Sequence, residues 1–342
     1  MIRNFLTGKL PRWIRKAALG AVLAAVGMTY LGWVFWLLPY GTQPFPRQLE
    51  IPSGKTLQEI GQLLEKEGFV LNAQAFVALA ALKGEAHRIR AGIYRLEAPC
   101  SPLDLLERLV GGRVELYRVT IPEGWNLLQV AQRLGGMGLV DPEGFLRKAR
   151  DPLWASELLG FKAASLEGFL FPDTYLFPPG TTDQIILQAM VRRFEKAFPA
   201  EFHFRLLELG WDLLQAVTLA SLIEKETSAP EERALVSGVF HKRLRMGMKL
   251  ESDPSVIYGL DKFNGDLRKS HILMPHPYNT YVFPGLPPGP ICSPGREAIR
   301  AALFPAETEY LFFVSRNDGT HHFSRTLGEH LRAVSRYQKA RP

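Results

Sequence analysis

The first hydrophobic feature of the chain is an uncharged run from Ala17 to Leu38. At a rise of about 1.5 Å per residue, its roughly 22 residues form a helix about 33 Å long, enough to cross the hydrocarbon core of a bilayer. Aromatic side chains crowd toward its far end, where membrane proteins place an interfacial belt: Tyr30, Trp33, Phe35, Trp36 and Tyr40. The pattern predicts a single transmembrane helix over residues 17–38.

The charges beside this run predict its orientation. The first acidic residue is Glu50, and the basic residues before the run are Arg3, Lys9, Arg12, Arg15 and Lys16. Because positive charge stays on the cytoplasmic side, we expect residues 1–16 to be a cytoplasmic tail. The rest would then be extracytoplasmic (periplasmic), anchored in the cell (inner) membrane. The alternative is a cleaved signal peptide, but its apolar region is about 7–15 residues long, and no good cleavage site follows here.

After a short linker (residues 39–47), a strand-turn-helix pattern occurs twice between residues 48 and 160. Ile51-Pro52-Ser53-Gly54-Lys55-Thr56-Leu57 recurs as Ile121-Pro122-Glu123-Gly124-Trp125-Asn126-Leu127. In each copy an amphipathic helix follows the turn and ends at glycine. A further strand at residues 92–96 and a capped helix from Ser101 belong to the first copy. Such units serve either as carbohydrate-binding modules or as scaffold, and we favour scaffold on the pattern alone.

The composition changes near residue 161, where prolines, aromatics and polar residues crowd into loops around a few strong helices. Helices are predicted over residues 211–227 and 232–246, a loop-rich stretch over 252–294, and a β-hairpin between 310 and 324. Long proline-containing loops in a compact domain are often functional. The sequence therefore predicts the α+β class, with a mixed domain over residues 161–342 that carries the chemistry.

One carboxylate interrupts the apolar side of the helix predicted at residues 211–227. Glu224 falls on the apolar stripe formed by Leu213, Val217 and Ala220. The opposite side of the helix is predicted to face solvent and carries Gln215, Thr218, Lys225 and Glu226. Apolar surroundings raise the pKa of a carboxyl group, and a raised pKa suits a general acid near neutral pH. The alternative is that Glu224 pairs with Arg233, Arg243 or Arg245, or accepts hydrogen bonds from loop backbone.

Further acids, amides and phenols lie in loops among aromatic residues, a mixture typical of sugar-binding clefts. The candidate substrate-binding residues are Glu167, Asp173, Tyr175, Ser221, Asp253, Tyr258, Asn279 and Tyr281. Each has a structural alternative, as a turn former, a satisfied buried acid or a core aromatic.

Several stretches in one order resemble the endolytic murein transglycosylases of the MltG/YceG-like family. The stretches are Ser165-Leu166-Glu167-Gly168-Phe169-Leu170-Phe171-Pro172-Asp173-Thr174-Tyr175, Leu219-Ala220-Ser221-Leu222-Ile223-Glu224-Lys225-Glu226-Thr227, Asp253-Pro254-Ser255-Val256-Ile257-Tyr258-Gly259, Tyr278-Asn279-Thr280-Tyr281 and Gly285-Leu286-Pro287-Pro288-Gly289-Pro290-Ile291. The resemblance implies a transmembrane helix, a LysM-like region over residues 48–160 and a catalytic domain over residues 161–342. It also implies that Glu224, the first glutamate of Glu-Lys-Glu-Thr, is catalytic.

The reaction implied by the resemblance is lytic cleavage of the β-1,4 bond between N-acetylmuramic acid and N-acetylglucosamine in nascent peptidoglycan. One glutamate would protonate the leaving oxygen and then take the proton of the muramyl C6 hydroxyl, which leaves a 1,6-anhydro end and would terminate strand elongation. Two alternatives remain open. A hydrolase would use a carboxylate pair, for which Glu167, Asp173 and Asp253 are candidates; a non-catalytic scaffold would only bind peptidoglycan.

The net charge and the cysteines limit which partners and cofactors we expect. The net charge of +7 is explained in part by the basic residues beside the apolar run, so we expect no nucleic-acid partner. Cys100 and Cys292 lie far apart without metal-ligand spacing, and two free, buried thiols are favoured over a disulfide. We expect no metal and no cofactor. The expected partners are peptidoglycan glycan strands, the membrane and peptidoglycan synthases.

Overall fold

The computed structural model describes residues 12–338 except 53, 113–115 and 261, with the backbone alone for 12–15. Most of the predicted cytoplasmic tail, residues 1–11, therefore lies outside the described residues. The chain forms two compact units. The first comprises Met1–Leu116 with Pro178–Gly180, and the second comprises Tyr117–Phe177 with Thr181–Pro342.

The first unit begins with helix α1 (Arg12–Gly32), which continues into a π-helical turn at Trp33–Leu37. The stretch Lys16–Leu37 is long and apolar enough to cross a membrane, and none of its most apolar window is buried. The predicted apolar helix is therefore present, and its composition is consistent with a single-pass anchor. The rest of the unit contains β1 (Arg47–Ile51), α2 (Leu57–Lys66), α3 (Ala73–Leu82), β2 (Gly92–Leu96) and α4 (Pro102–Gly111).

Local sequence signals explain the elements of this unit. Thr56 and Glu59 form a capping box at the start of α2, and the Ser101 hydroxyl caps α4. Strands β1 and β2 pair antiparallel, with Arg47 opposite Leu96. Their inward side chains and the apolar faces of α2, α3 and α4 form one core. The strand-turn-helix prediction for the first copy is confirmed.

The second unit has more elements, which surround two packed cores. Its strands are β3 (Tyr117–Thr120), β4 (Thr174–Phe177), β5 (Phe312–Ser315) and β6 (His321–Ser324). Its helices are α5 (Leu127–Gly136), α6 (Pro142–Ala149), α7 (Pro152–Leu159), α8 (Asp183–Ala197), α9 (Ala200–Leu209), α10 (Leu213–Glu226), α11 (Arg233–Arg245), α12 (Asp253–Tyr258), α13 (Lys269–Ile272), α14 (Arg296–Leu303) and α15 (Leu327–Tyr337). The α+β class and the C-terminal hairpin are confirmed, whereas the stretch predicted as loop contains the short helices α12 and α13.

The second strand-turn-helix copy belongs to this second unit, so the compact units do not divide at the predicted boundary near residue 160. Strand β3 leads into α5 through a turn at Gly124, where φ is +75°, and Asn126 and Gln129 form a capping box. The strand pairs with β4, which lies far along the chain, and α6 packs on α8. A local repeat predicts local structure, but these distant contacts decide which core it joins.

Helix α10 is the central helix of the second unit. Eight consecutive residues, from Ala216 to Ile223, are buried, because α11 and α14 pack against it. The prediction that the opposite side of α10 faces solvent was wrong for Thr218, which is 1% exposed, and for Glu226, which is half-buried. The polar residues on that side meet other parts of the unit instead of solvent.

Candidate active site

A cleft of about 620 Å³ opens at the C-terminal end of α10. Lys225 and Glu226 line it from α10, Asp253 from the first turn of α12, and Tyr281 from the loop after α13. Strand β5 and helix α15 form the opposite wall. All of these elements belong to the second unit, so the cleft is complete within one compact unit.

Glu226 is one of three carboxyl groups that line this cleft, with Glu251 and Asp253. It is the last residue of α10, and its Oε1 accepts a hydrogen bond from the Ser252 hydroxyl at 2.5 Å. Burial raises the pKa of Glu226, the Ser252 hydrogen bond lowers it, and the negative charge of Asp253 raises it, which together bring the pKa to about 7. A carboxyl group with this pKa can donate and accept a proton near neutral pH. The helical pattern of the sequence missed this residue.

Glu224 points to a different place. Two residues correspond to about 200° around a helix, so Glu224 and Glu226 leave α10 on opposite sides. The Oε2 atom of Glu224 accepts a hydrogen bond from the Gly295 backbone N–H at 3.0 Å. Its Oε1 atom lies 3.9 Å from Nη2 of Arg233, and its side chain is only 8% exposed. Glu224 is outside the set of described residues that line the cleft.

The surroundings of Glu224 match the structural alternative raised by the sequence, namely pairing with Arg233 and with loop backbone. Burial raises the pKa of Glu224, the Gly295 hydrogen bond lowers it, and the charge of Glu123 raises it. The Nε atom of Arg233 is buried without a hydrogen-bond partner among the described residues. Glu224 thus fastens the end of α10 to the start of α14 and compensates a largely buried guanidinium group.

Asp253 and Tyr281 are the two predicted substrate-binding residues that line the cleft. The Tyr281 hydroxyl donates a hydrogen bond of 2.7 Å to Oδ1 of Asp253. Burial raises the pKa of Tyr281, as does the neighbouring Asp253 carboxylate, so the phenol remains a donor. Together they place an oriented polar pair beside Glu226.

Two other predicted residues, Glu167 and Tyr258, form a buried pair away from this cleft. Both carboxylate oxygens of Glu167 lie 3.2 Å from the Leu127 N–H at the start of α5, and the Tyr258 hydroxyl donates to Oε2 at 3.1 Å. Burial raises the pKa of Glu167 to about 7 and also raises the pKa of Tyr258. In this structure the pair ties α5 to α12.

Asn279 and Ser221 hold loops in place. The Asn279 amide donates to the carbonyl groups of three residues around α13, His271, Ile272 and Met274. The Ser221 hydroxyl donates to the Thr218 carbonyl and accepts from the Ile291 N–H. Both side chains are buried, and their hydrogen bonds connect these loops to the helices beside them.

Asp173 directly precedes β4, and Tyr175 lies within it. Asp173 forms an ion pair with Arg193 at 2.5 Å. The Tyr175 ring stacks on Phe177 in the core, and its hydroxyl donates to the Phe171 carbonyl. Neither residue lines the cleft around Glu226. Their roles in substrate binding stay predictions.

Possible metal ligands and the two cysteine thiols are the remaining reactive groups. Within the part of the chain that the structure describes, no group of three or more His, Cys, Asp or Glu residues is arranged to hold a metal ion. Whether the reaction needs a metal or cofactor stays a prediction. Cys100 is half-buried and Cys292 buried, and both thiols are free.

Comparison with known proteins identifies the family. A sequence model described as the YceG-like family matches residues 49–336. This chain belongs to that family. Within it, an endolytic murein transglycosylase of Bacillus subtilis (strain 168) is 29% identical over 304 residues, which cover 84% of this chain and 84% of that protein. The endolytic murein transglycosylase of Streptococcus pneumoniae (serotype 2, strain D39 / NCTC 7466) is 30% identical over 318 residues, which cover 84% of this chain and 57% of the pneumococcal protein.

A solved structure from the same family agrees with the fold. The 2.6 Å crystal structure of a yceG-like protein from Listeria monocytogenes superposes with a TM-score of 0.60 at 27% sequence identity. The match covers 84% of this chain and 98% of the Listeria chain. It therefore includes most of both compact units.

Proposed function

We propose that this chain is a lytic transglycosylase that cuts the glycan strands of bacterial peptidoglycan. The observation that carries the proposal is an acid with a pKa of about 7 in a polar cleft, within a family whose relatives are endolytic murein transglycosylases. A lytic reaction needs one group that is first an acid and then a base. The cleft offers such a group in Glu226.

The proposed reaction proceeds without water. Protonated Glu226 gives its proton to the glycosidic oxygen between N-acetylmuramic acid and N-acetylglucosamine, and the bond from that oxygen to muramyl C1 breaks. The Glu226 carboxylate then takes the proton of the C6 hydroxyl of the same sugar as its oxygen bonds to C1. The products are a 1,6-anhydro end and a new N-acetylglucosamine hydroxyl, and Glu226 is protonated again.

The other polar groups of the cleft support this assignment. The carboxylate of Asp253 provides negative charge that favours the developing oxocarbenium centre. Its hydrogen bond from Tyr281 fixes its orientation. Ser252 fixes the Glu226 carboxyl group and keeps its pKa from rising further.

The sequence favoured Glu224 as the catalytic acid, and that assignment stays open to experiment as the rival proposal. Its side chain is nearly covered, it is held by Gly295 and Arg233, and it does not line the described cleft. These contacts support a structural role for Glu224, whereas the acid/base role proposed for Glu226 is supported by its position in the cleft and by its pKa of about 7.

Hydrolysis is a second candidate, because Asp253 provides another carboxylate beside Glu226. A hydrolase would use the pair to activate water and would leave reducing ends. The test is to digest purified peptidoglycan with a chain that lacks residues 1–40 and to analyse the products by mass spectrometry. We expect anhydro-muropeptides. Reducing ends would indicate hydrolysis, and no turnover of purified peptidoglycan would favour a non-catalytic scaffold.

The first unit suggests the setting of the reaction. We propose that α1 anchors the chain in the cell membrane with its N-terminus in the cytoplasm, and that the folded units lie outside the cytoplasm. Glycan binding by the region predicted to be LysM-like and contact with peptidoglycan synthases are further proposals. Co-sedimentation of residues 39–116, the part of the first unit that follows the apolar helix, with insoluble peptidoglycan would test glycan binding by that unit. A reporter fused after Pro342 would test the topology.

A further inference from the structure

An apolar groove of about 560 Å³ lies within the first unit, beside the N-terminal helix. One wall is the end of α1 with the π-helical turn, including Met28, Trp33 and Leu37. The other wall contains Leu82 at the end of α3 and Leu103 in α4. All the described residues that line it belong to the first unit.

The folded part of the unit is attached to this end of the helix. The indole N–H of Trp36 donates a hydrogen bond of 2.9 Å to the Ala75 carbonyl in α3. The Trp36 ring also packs against the core of the unit, and both α3 and α4 contact the π-helical turn. The groove therefore has fixed walls.

The position of the groove along the apolar helix determines what can fill it. The helical stretch that could span a membrane is Lys16–Leu37, and the groove follows it from Met28 to Leu37. At about 1.5 Å per residue this distance is about 14 Å, close to half of a hydrocarbon core of about 30 Å. If the helix spans the membrane, the groove is at the depth of one leaflet.

The wall of the groove formed by α3 and α4 is also apolar, and it becomes charged at one end. Helix α3 contains no charged residue (Ala-Gln-Ala-Phe-Val-Ala-Leu-Ala-Ala-Leu), and its last side chain, Leu82, is 73% exposed. The next residue, Lys83, also lines the groove. Lys83 and Leu103 are shared with an adjoining cavity that Glu85 and Glu107 line. The surface thus changes from apolar to charged at Lys83, as expected where acyl chains give way to headgroups.

We propose that acyl chains of membrane phospholipids fill this groove and that the ammonium group of Lys83 meets a lipid phosphate. The proposal rests on the membrane anchor proposed above and adds that the first unit is seated in the bilayer surface. Burial of Leu82 among acyl chains removes an exposed apolar side chain from water, which is favourable.

The test uses the full chain carrying Cys100→Ala, reconstituted into vesicles of phosphatidylcholine and phosphatidylglycerol. Cys292 is 1% exposed, so it should resist labelling in the folded chain. A single cysteine labelled with the fluorophore NBD is introduced by Leu82→Cys. Val22→Cys, on the exposed surface of α1, reports the anchor, and Glu107→Cys, on the charged side of Lys83, is the control in the same unit.

We expect the Leu82→Cys label to emit at shorter wavelength and to lose intensity when doxyl-labelled lipids are included, as the Val22→Cys label does. The Glu107→Cys label should instead be quenched by aqueous iodide. If the Val22→Cys label is lipid-quenched but the Leu82→Cys label is quenched by iodide, the anchor stands and the groove proposal is wrong. A Leu82→Cys label that is protected from both quenchers would mean that protein covers the groove, which also overturns the proposal. An iodide-quenched Val22→Cys label would reject the anchor itself and the groove proposal with it.

Discussion

Glu224 and Glu226 stand two residues apart at the end of α10, and their side chains leave the helix on opposite sides and meet different neighbours. On one side, Glu224 is 8% exposed and is held by the Gly295 N–H and by Arg233. On the other, Glu226 lines a cleft with Asp253 and Tyr281. Burial raises the pKa of both carboxyl groups, so a raised pKa alone does not mark the catalytic residue. The proposal that Glu226 is the acid/base rests on its position in the cleft.

The largest expected effect comes from Glu226→Gln. Glutamine keeps the shape of the side chain and still accepts the Ser252 hydrogen bond, but it cannot transfer a proton. We expect kcat for release of anhydro-muropeptides to fall by about 10²–10⁴-fold with little loss of thermal stability. Glu231→Gln, which removes a charge from an exposed glutamate nearby, is the matched control and should change neither property.

Glu224→Gln should instead lower the stability of the chain and leave most of its activity. It leaves the Arg233 guanidinium group without its carboxylate, and we expect a loss of about 1–3 kcal/mol in the free energy of unfolding, measured by urea denaturation. The folded variant should keep kcat/KM within about tenfold of the unchanged chain. A stable but inactive Glu224→Gln chain, together with an active Glu226→Gln chain, would reverse the assignment of the two glutamates.

A smaller effect is expected from Tyr281→Phe, which removes the hydrogen bond to Asp253 but keeps the ring. A net loss of about 1–1.5 kcal/mol in transition-state stabilisation corresponds to about a five- to tenfold fall in kcat/KM. Tyr310→Phe removes a phenol outside the described cleft lining and should leave the kinetics unchanged. Equal kinetics for the two variants would mean that the Asp253–Tyr281 pair does not orient the substrate.

The smallest effect concerns pH and follows from the Ser252 hydrogen bond. This bond stabilises the Glu226 carboxylate and so lowers its pKa; Ser252→Ala should therefore raise it. Because the acid must be protonated to act, activity declines as pH rises through this pKa, and the alkaline limb of the kcat/KM profile should move to higher pH. Ser228→Ala, which changes a serine that lines the cleft, is the control. If the alkaline limb of the profile does not move in Ser252→Ala, a group other than Glu226 controls it.

Stability should depend on pH in the same direction. The pKa of Glu226 is about 7 in the folded chain against 4.5 as its ordinary value. Such a group contributes stability below about pH 4.5, and this contribution is lost as pH rises through about 7. The stability of Glu226→Gln relative to the unchanged chain should therefore increase between pH 4 and pH 8, by differential scanning calorimetry. A difference that is constant over this range would show that the Glu226 pKa is close to its ordinary value.

The two strand-turn-helix copies show that a sequence pattern predicts local structure but not which strands pair. Both copies form a strand, a turn and a capped helix, because capping residues and apolar spacing act within a few residues. The partners of the strands differ, since β1 pairs with β2 and β3 pairs with β4. Nothing within about 20 residues of β3 indicates that its partner lies beyond residue 170. Pairing over such distances depends on which apolar faces can be buried together.

The sequence by itself determined the long apolar helix, the two strand-turn-helix copies, helices α4, α10 and α11, the C-terminal hairpin, the α+β class and the family. These depend on local patterns and on several motifs that follow one another in a fixed order. It also brought Asp253, Tyr281 and the Glu-Lys-Glu-Thr stretch forward as candidates. Only the tertiary structure decided which glutamate of that stretch reaches a cleft. A helical wheel treats the side of α10 that carries Glu226 as solvent-facing, but Ser252, Asp253 and β5 come from distant parts of the chain and enclose it. Burial and charge raise a pKa only through such neighbours, so the chemistry of Glu226 is a property of the folded unit.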